Sequence, residues 1–333
     1  MKNIILLFGL FLIFKIAFGQ EIHTPAEILK IMEKSSVSYE LHPLENEIKT
    51  PDRTNKLNYN HYYQIKKDGS TTTYKYELNE ETTNYVKKAE QFFKDRKFKE
   101  AREMYIKALE SDSTYYEVMT YIGQTYGIEK NWDKAIDWYK KTIKLNYIDY
   151  MAHWFLADAY KVKGELDLAV NEITIAQILN RNNPRLNKSL KEIYDLRKLN
   201  YNEWVFNPQV QIDSIGVNKV KIAFDANWLG YAMVKAVWLY EPGYKEKMGS
   251  ENSLFSMLQE KEALVSLMTG LDKKSFKKIP EFKTLKLALN KKMIDEYIYY
   301  EILLPEHPFV AYQFPQEIIE DIKEYIINVR TKK

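Results

Sequence analysis

The chain contains no cysteine, which excludes disulfides, thiolate metal ligands and cysteine nucleophiles together. Its five histidines, His23, His42, His61, His153 and His307, stand singly. They lack the HExxH spacing, or any other pairing, that holds a zinc ion. No GxSxG, P-loop or GxGxxG occurs, so the commonest signatures of acyl transfer and nucleotide binding are missing. No catalytic residue, metal or cofactor is expected. Arginine is scarce, with 7 among 49 basic residues, and the formal charge is only +3. Such a chain offers neither the guanidinium forks nor the field that nucleic acid would require.

Long hydrophobic runs are also missing. Ile4 to Phe14 is an apolar run of eleven residues ended by Lys15, too short to span a bilayer comfortably. With Lys2 before it and the small-x-small site Ala17-Phe18-Gly19 ahead of Gln20, residues 1–19 read as a cleaved secretory signal. The mature chain is then exported, to the periplasm or beyond. An uncleaved anchor is the alternative, and is the one form of membrane association expected. Lys2 and Lys15 carry two of the three excess positive charges, so the mature chain keeps +1.

What is present suits folded domains. Of 333 residues, 45% are hydrophobic, 14% aromatic and 29% charged, and the length exceeds one typical core. The strongest internal signal is a period of 34 over residues 82–183. In three ungapped windows, Thr82 to Tyr115, Tyr116 to Asp149 and Tyr150 to Asn183, the eighth position is Ala89, Gly123, Ala157 and the eleventh Phe92, Tyr126, Tyr160. The seventeenth is Phe98, Trp132, Leu166; the twentieth Ala101, Ala135, Ala169; the twenty-fourth Tyr105, Tyr139, Ile173; the twenty-seventh Ala108, Thr142, Ala176. Small residues permit close approach of two antiparallel helices, and large ones fill the space beside them. After the third window, Asn183-Pro184 starts a further helix whose stripe Leu186, Leu190, Ile193, Tyr194 closes the array as a cap.

This pattern resembles the tetratricopeptide repeat, apart from the proline usual near the end of each unit, replaced here by Ser113, Tyr147 and Arg181. The resemblance implies an α-solenoid whose first helices line a concave groove for a peptide or protein partner. One subclass clamps a C-terminal carboxylate with Lys, Asn and Arg. Val86, Glu90, Tyr121, Met151 and Phe155 are taken as the matching residues here, and none is a cation, so that ligand is not expected. The expected groove comprises Val86, Glu90, Phe93, Thr120, Tyr121, Gln124, Met151, Trp154, Phe155 and Asp158, with the aromatics as anchors. The alternative for each aromatic is packing between neighbouring helices.

The flanks read as α/β elements. Thr24-Pro25-Ala26-Glu27 is a capping box opening a helix to about Lys34, and Asp68-Gly69 joins two alternating runs, Leu57 to Lys66 and Ser70 to Leu78, as a hairpin. Residues 20–81 are expected to form a small N-terminal element, 82–200 the repeat array with its cap, and 201–333 a separate, mostly helical domain led by short strands at 204–206, 210–212 and 220–224. There Asp225 caps a largely apolar helix to Tyr240, and further helices follow at 253–268, 282–304 and 315–329. A candidate pocket in this domain comprises Asp225, Trp228, Tyr231 and His307; N-capping plus core packing is the plainer account. Lys235, inside the apolar helix, either snorkels or is a buried amine.

The expected fold is mainly α, and the expected function a non-enzymatic, exported scaffold or adaptor. An enzyme or glycan-binding protein with its site after residue 200 is the rival, distinguished by a deep polar pocket around Trp228, Tyr231 or His307. Self-association through the repeats is a third reading.

Overall fold

The computed structural model describes residues 22–59, 61–201, 203–250, 255–271 and 279–331. The expected signal segment lies outside the described residues. The chain is mostly helical and divides into two compact units, Met1–Thr50 with Val205–Leu289, and Pro51–Trp204 with Asn290–Lys333.

In the first unit, Thr24 caps α1 (Pro25–Lys34) through a capping box completed by Glu27, as expected. The next strand, β1 (Ser38–Pro43), pairs in parallel with β5 (Lys219–Phe224), in register from Ser38↔Lys219 to Pro43↔Phe224. β5 is also antiparallel to β4 (Val210–Gly216), giving the order β1-β5-β4. Residues 204–206 form no strand. Asp225 caps a 3-10 turn, Ala226–Trp228, before α9 (Leu229–Tyr240) begins. α9 packs on β5, with α1 and α11 (Met257–Gly270) against it. Gly230 sits where α9 and α11 touch: a Cβ there would lie 2.5 Å from the Ser266 carbonyl oxygen.

The second unit is built on three helical hairpins at the predicted period: α2 (Glu80–Lys94) with α3 (Phe98–Ser111), α4 (Glu117–Ile128) with α5 (Trp132–Leu145), and α6 (Tyr150–Lys163) with α7 (Leu166–Leu179). Ala89, Ala101, Ala135, Ala157 and Ala169 are fully buried, and Tyr105, Tyr139 and Ile173 fill the space beside them. Gly123 faces the ring of Tyr139, where a Cβ would lie 2.5 Å from Cε1. α8 (Pro184–Leu196), capped by Asn183, packs on α7 and closes the array with Leu186, Leu190, Ile193 and Tyr194 buried.

The turn between the two helices of each hairpin repeats as faithfully as the core. Arg96, Lys130 and Gly164 have φ of 59°, 61° and 79°, and Lys198, after α8, has 62°. Each follows its predecessor by one period, so α8 occupies the place of a fourth first helix. Only at Gly164 does the residue suit this left-handed backbone. Lys130→Gly is therefore expected to stabilise the fold by about 0.5–1 kcal/mol, read as a higher urea midpoint at unchanged slope.

The hairpin β2 (Tyr62–Lys67) and β3 (Ser70–Lys75) turns through Asp68 and Gly69, both at positive φ. After Asn290, the turn Ile294–Tyr297 runs into a π-helix at Ile298–Leu303, and helix Gln316–Tyr325 ends in a second at Ile326–Arg330. The helices expected at 282–304 and 315–329 are thus each broken or altered. Lys292, with φ 58°, stands at the first break.

The expected division at 81/82 and 200/201 does not match these units. Residues before Thr50 supply a helix and an edge strand to a sheet formed after Val210. The β2–β3 hairpin and the last segment of the chain belong with the array. Pairings some 180 residues apart leave no trace in a local pattern.

Candidate functional site

Five positions of each first helix share its concave side: 83, 86, 87, 90 and 94 in α2, and the same positions one, two and three periods later in α4, α6 and α8. The five residues matched to the carboxylate clamp, Val86, Glu90, Tyr121, Met151 and Phe155, all lie at these concave positions.

The expected groove residues differ in what holds them. Thr120 is fully buried and donates to Asp149 Oδ2 at 3.0 Å, which removes it from any contact with a partner. Tyr121 is half-buried, donates to the buried Glu117 Oε1 at 2.5 Å and rests 5.6 Å from Tyr105. Burial, reinforced by the Glu117 charge, pushes its hydroxyl far above the usual tyrosine range. Glu90 accepts from the Tyr105 hydroxyl, while Val86 and Phe93 pack against the core of the first hairpin. Trp154 Nε1 donates to Ser189 Oγ of α8 at 3.1 Å, and Phe155 lies 5.9 Å from Tyr139. Met151, Gln124 and Asp158 are half-buried. Burial raises the Asp158 carboxyl pKa against the lowering effect of Lys161, whose Nζ lies 3.2 Å away.

The face is thus more buried around the start of α4 than toward the helix ends. Around the starts of α4 and α6, Glu117 and Asp149 are buried among tyrosines; burial, with Asp149 and Glu117 nearby, pushes the Tyr150 hydroxyl up to about 12. Toward the ends of α4, α6 and α8 the concave positions reach solvent: Ile128 is 41% exposed, Val162 55% and Leu196 51%.

A second repeated position binds the chain's own backbone. Asp112, Asn146 and Asn180 are the C-caps of α3, α5 and α7. Asn180 accepts from Asn58 N at 3.0 Å and donates to Asn58 O at 2.9 Å. Asn146 accepts from Gln64 N at 3.3 Å and donates to Tyr62 O at 3.0 Å. The segment entering β2 is therefore held on this edge of the array through its main chain. Asp112 instead accepts from Thr114 N and Oγ1.

Of the candidate pocket after residue 200, Trp228 and Tyr231 are core, and Asp225 and His307 are exposed. Trp228 and Tyr231 are 3% and 4% exposed, packed edge-on against each other at 5.6 Å and against Phe206, with Phe282 5.2 Å from Trp228. The Tyr231 hydroxyl donates to the buried Glu260 at 2.9 Å, and Lys235 completes that carboxylate at 2.5 Å, so this amine is ion-paired. Asp225 caps its turn by accepting from Asn227 N at 3.0 Å. His307, exposed, precedes a 3-10 helix in the second unit. A filled core at Trp228 and Tyr231 is the outcome that counts against the rival reading.

Besides Glu260, the buried carboxylates Glu262 and Glu301 escaped the sequence reading. Glu262, fully buried, accepts from Trp238 Nε1 at 2.6 Å, the Tyr244 hydroxyl at 3.0 Å and His23 N at 2.6 Å. Glu301 receives Arg330 and Tyr325. No sequence pattern distinguishes them from surface acids on helices. Among the described residues no group of three or more His, Asp or Glu could hold a metal ion.

No family model matches the chain, and no curated protein matches it. Solved structures similar to it include the first tetratricopeptide domain of Spaghetti (RPAP3) bound to the HSP90 peptide SRMEEVD, at 20% identity over 36% of this chain and 97% of that one, TM-score 0.34. The Arabidopsis OM64 tetratricopeptide domain is 13% identical over 35% and 97%, TM-score 0.33. The MamA protein is 18% identical over 71% and 97%, TM-score 0.29. The description of residues 82–183 as a tetratricopeptide-like solenoid rests on the chain's own register and packing.

Proposed function

We propose that this chain is an exported adaptor that binds a peptide or protein partner on the concave face of its repeat array, without catalysis. The observation that carries the reading is the exposure of that face toward the helix ends. There, consecutive first helices offer solvent-accessible positions in register, while the surrounding side chains are fixed by the core. Rigid, preorganised first helices suit recognition, because little ordering entropy is lost on binding. Export rests on the leader-like residues 1–19, and N-terminal sequencing of the chain isolated from the cell envelope tests it: a start at Gln20 is expected.

Binding is tested by affinity capture from the native envelope with the wild-type chain and with Gln124→Arg/Asp158→Arg. Both positions are half-buried on the concave face, so added bulk and charge block it. A partner held by the wild type and lost at least about tenfold by the variant, at unchanged helicity, is expected. Equal retention by the two would refute the site.

A further inference from the structure

Arg96, Lys130, Gly164 and Lys198 stand one period apart, each at positive φ. α3 packs on α4, α5 on α6 and α7 on α8, so the four turns follow one another along a single edge of the second unit. Glycine holds this backbone without strain, and asparagine or aspartate adopts it more readily than lysine or arginine. Three of the four positions nevertheless carry a cation. All three are exposed. Arg96 lies over the ring of Phe98 at 5.7 Å, and none of the three has an ion-pair partner among the described residues. Strain kept at equivalent positions for exposed, unpaired charges points to a use outside the fold.

Several carboxylates along the same edge are held from within the array. Glu129, beside Lys130, pairs with Arg102 at 2.7 Å; Asp133 pairs with Lys163 at 2.7 Å and Asp167 with Arg197 at 2.5 Å. Asp95, beside Arg96, accepts from Gln91 Nε2 at 3.1 Å, and Asp195 is exposed in the last turn of α8. The edge is therefore a chain of separated cations with acids between them, not a uniformly positive plane.

That order selects the class of partner. A lipid surface is a continuous negative plane and would press on Asp95, Glu129, Asp133, Asp167 and Asp195 as well as on the cations. Phosphate polymers are met best by arginine forks, and only Arg96 among the three is a guanidinium. A lysine ammonium is a point charge that takes single carboxylates. A flexible acidic chain can meet the cations one at a time and bend past the acids.

We propose that the turn edge marked by Arg96, Lys130 and Lys198 binds an extended, Asp- and Glu-rich segment of a partner protein. It is a second surface, separate from the concave positions and independent of whether those bind.

The test measures anisotropy of a labelled Glu-Gly repeat peptide with the full chain, beside its Gln-Gly counterpart and sedimentation with phosphatidylglycerol vesicles. Each exposed ion pair contributes modestly, so three together are expected to make the Glu-Gly peptide bind at least about tenfold tighter than the Gln-Gly one, less so as salt rises. Arg96→Gly/Lys130→Gly/Lys198→Gly is expected to lose that preference while its urea midpoint stays level or rises, because glycine suits each turn. A stable variant that no longer binds separates a lost contact from a damaged fold. Lys88→Gln/Lys107→Gln/Lys144→Gln removes the same charge from exposed helix positions and is expected to keep the preference. No preference for the Glu-Gly peptide, or its survival in the glycine variant, would overturn the proposal. So would equal loss in both variants, which would reduce the effect to net charge. Vesicle binding lost in the glycine variant, with no peptide preference, would overturn it too and assign the edge to a membrane surface.

Discussion

Arg330→Met is expected to destabilise the second unit by about 3–5 kcal/mol, the usual cost of removing one member of a buried ion pair. Arg330 is 1% exposed and Glu301 2%. The guanidinium donates from Nε to Glu301 Oε1 at 2.9 Å and from Nη2 to the Trp204 carbonyl at 3.0 Å. Its carbon lies 3.8 Å from the centre of the Trp204 ring and 4.8 Å from that of Tyr201. Methionine keeps much of the volume and removes the charge. Glu301 would then retain the Tyr325 hydroxyl at 3.0 Å, and Arg181 at 3.6 Å, which is beyond good hydrogen-bonding distance. The carboxylate would be left with its desolvation cost largely uncompensated. Differential scanning calorimetry should show the transition of this unit about 6–15 °C lower. The double variant Arg330→Met/Glu301→Gln should recover part of that loss, because it removes the stranded charge as well. A fall of less than about 2 °C in the single variant would mean that the pair contributes little.

Gly230→Ala is the second large effect, here in the first unit. Helix propensity alone predicts stabilisation by up to about 1 kcal/mol. Packing predicts the opposite, since the new Cβ would lie 2.5 Å from the Ser266 carbonyl oxygen and 2.8 Å from its carbon. Both atoms are backbone, so no rotamer change relieves the overlap and α9 must move away from α11. A net loss of about 2–3 kcal/mol is expected in urea titration. The contrast is Gly123→Ala, where the obstacle is the ring of Tyr139 and a side chain can give way, so the loss should be smaller. A neutral or stabilising Gly230→Ala would show that the α9–α11 contact is looser than described.

How far the sequence carried these conclusions differs between the units. The period of 34 is written in residues whose size is dictated locally, and Ala101, Ala135 and Ala169 are buried as it requires. Thr24 with Glu27, and Asp68 with Gly69, are local signals too, and each marks the element it foretold. The β1–β5 pairing was illegible: six residues with no marked alternation find a partner some 180 positions away. The left-handed turns at Arg96, Lys130 and Lys198 were hidden by residue types that seldom adopt that backbone.

At the site, legibility ended at rotation about the helix axis. Spacing put Thr120 and Trp154 on the concave side. The hydrogen bonds to Asp149 and Ser189 that tie them to their neighbours depend on residues 29 and 35 positions away. Ile128, Val162 and Leu196, by contrast, stand in the sequence at one fixed repeat position. They escaped notice because an isolated surface valine or leucine is ordinary, and only exposure at three successive repeats distinguishes them.

The central claim is that partners meet the concave face. The most direct measurement is photo-crosslinking in the native envelope, with a photoreactive amino acid placed in turn at Val162 on that face and at Ile106 on an exposed face of α3. The account predicts a discrete crosslinked species from position 162 that is absent from position 106 and is suppressed by Gln124→Arg/Asp158→Arg. Crosslinks of equal yield from both positions, or from position 106 alone, would contradict it.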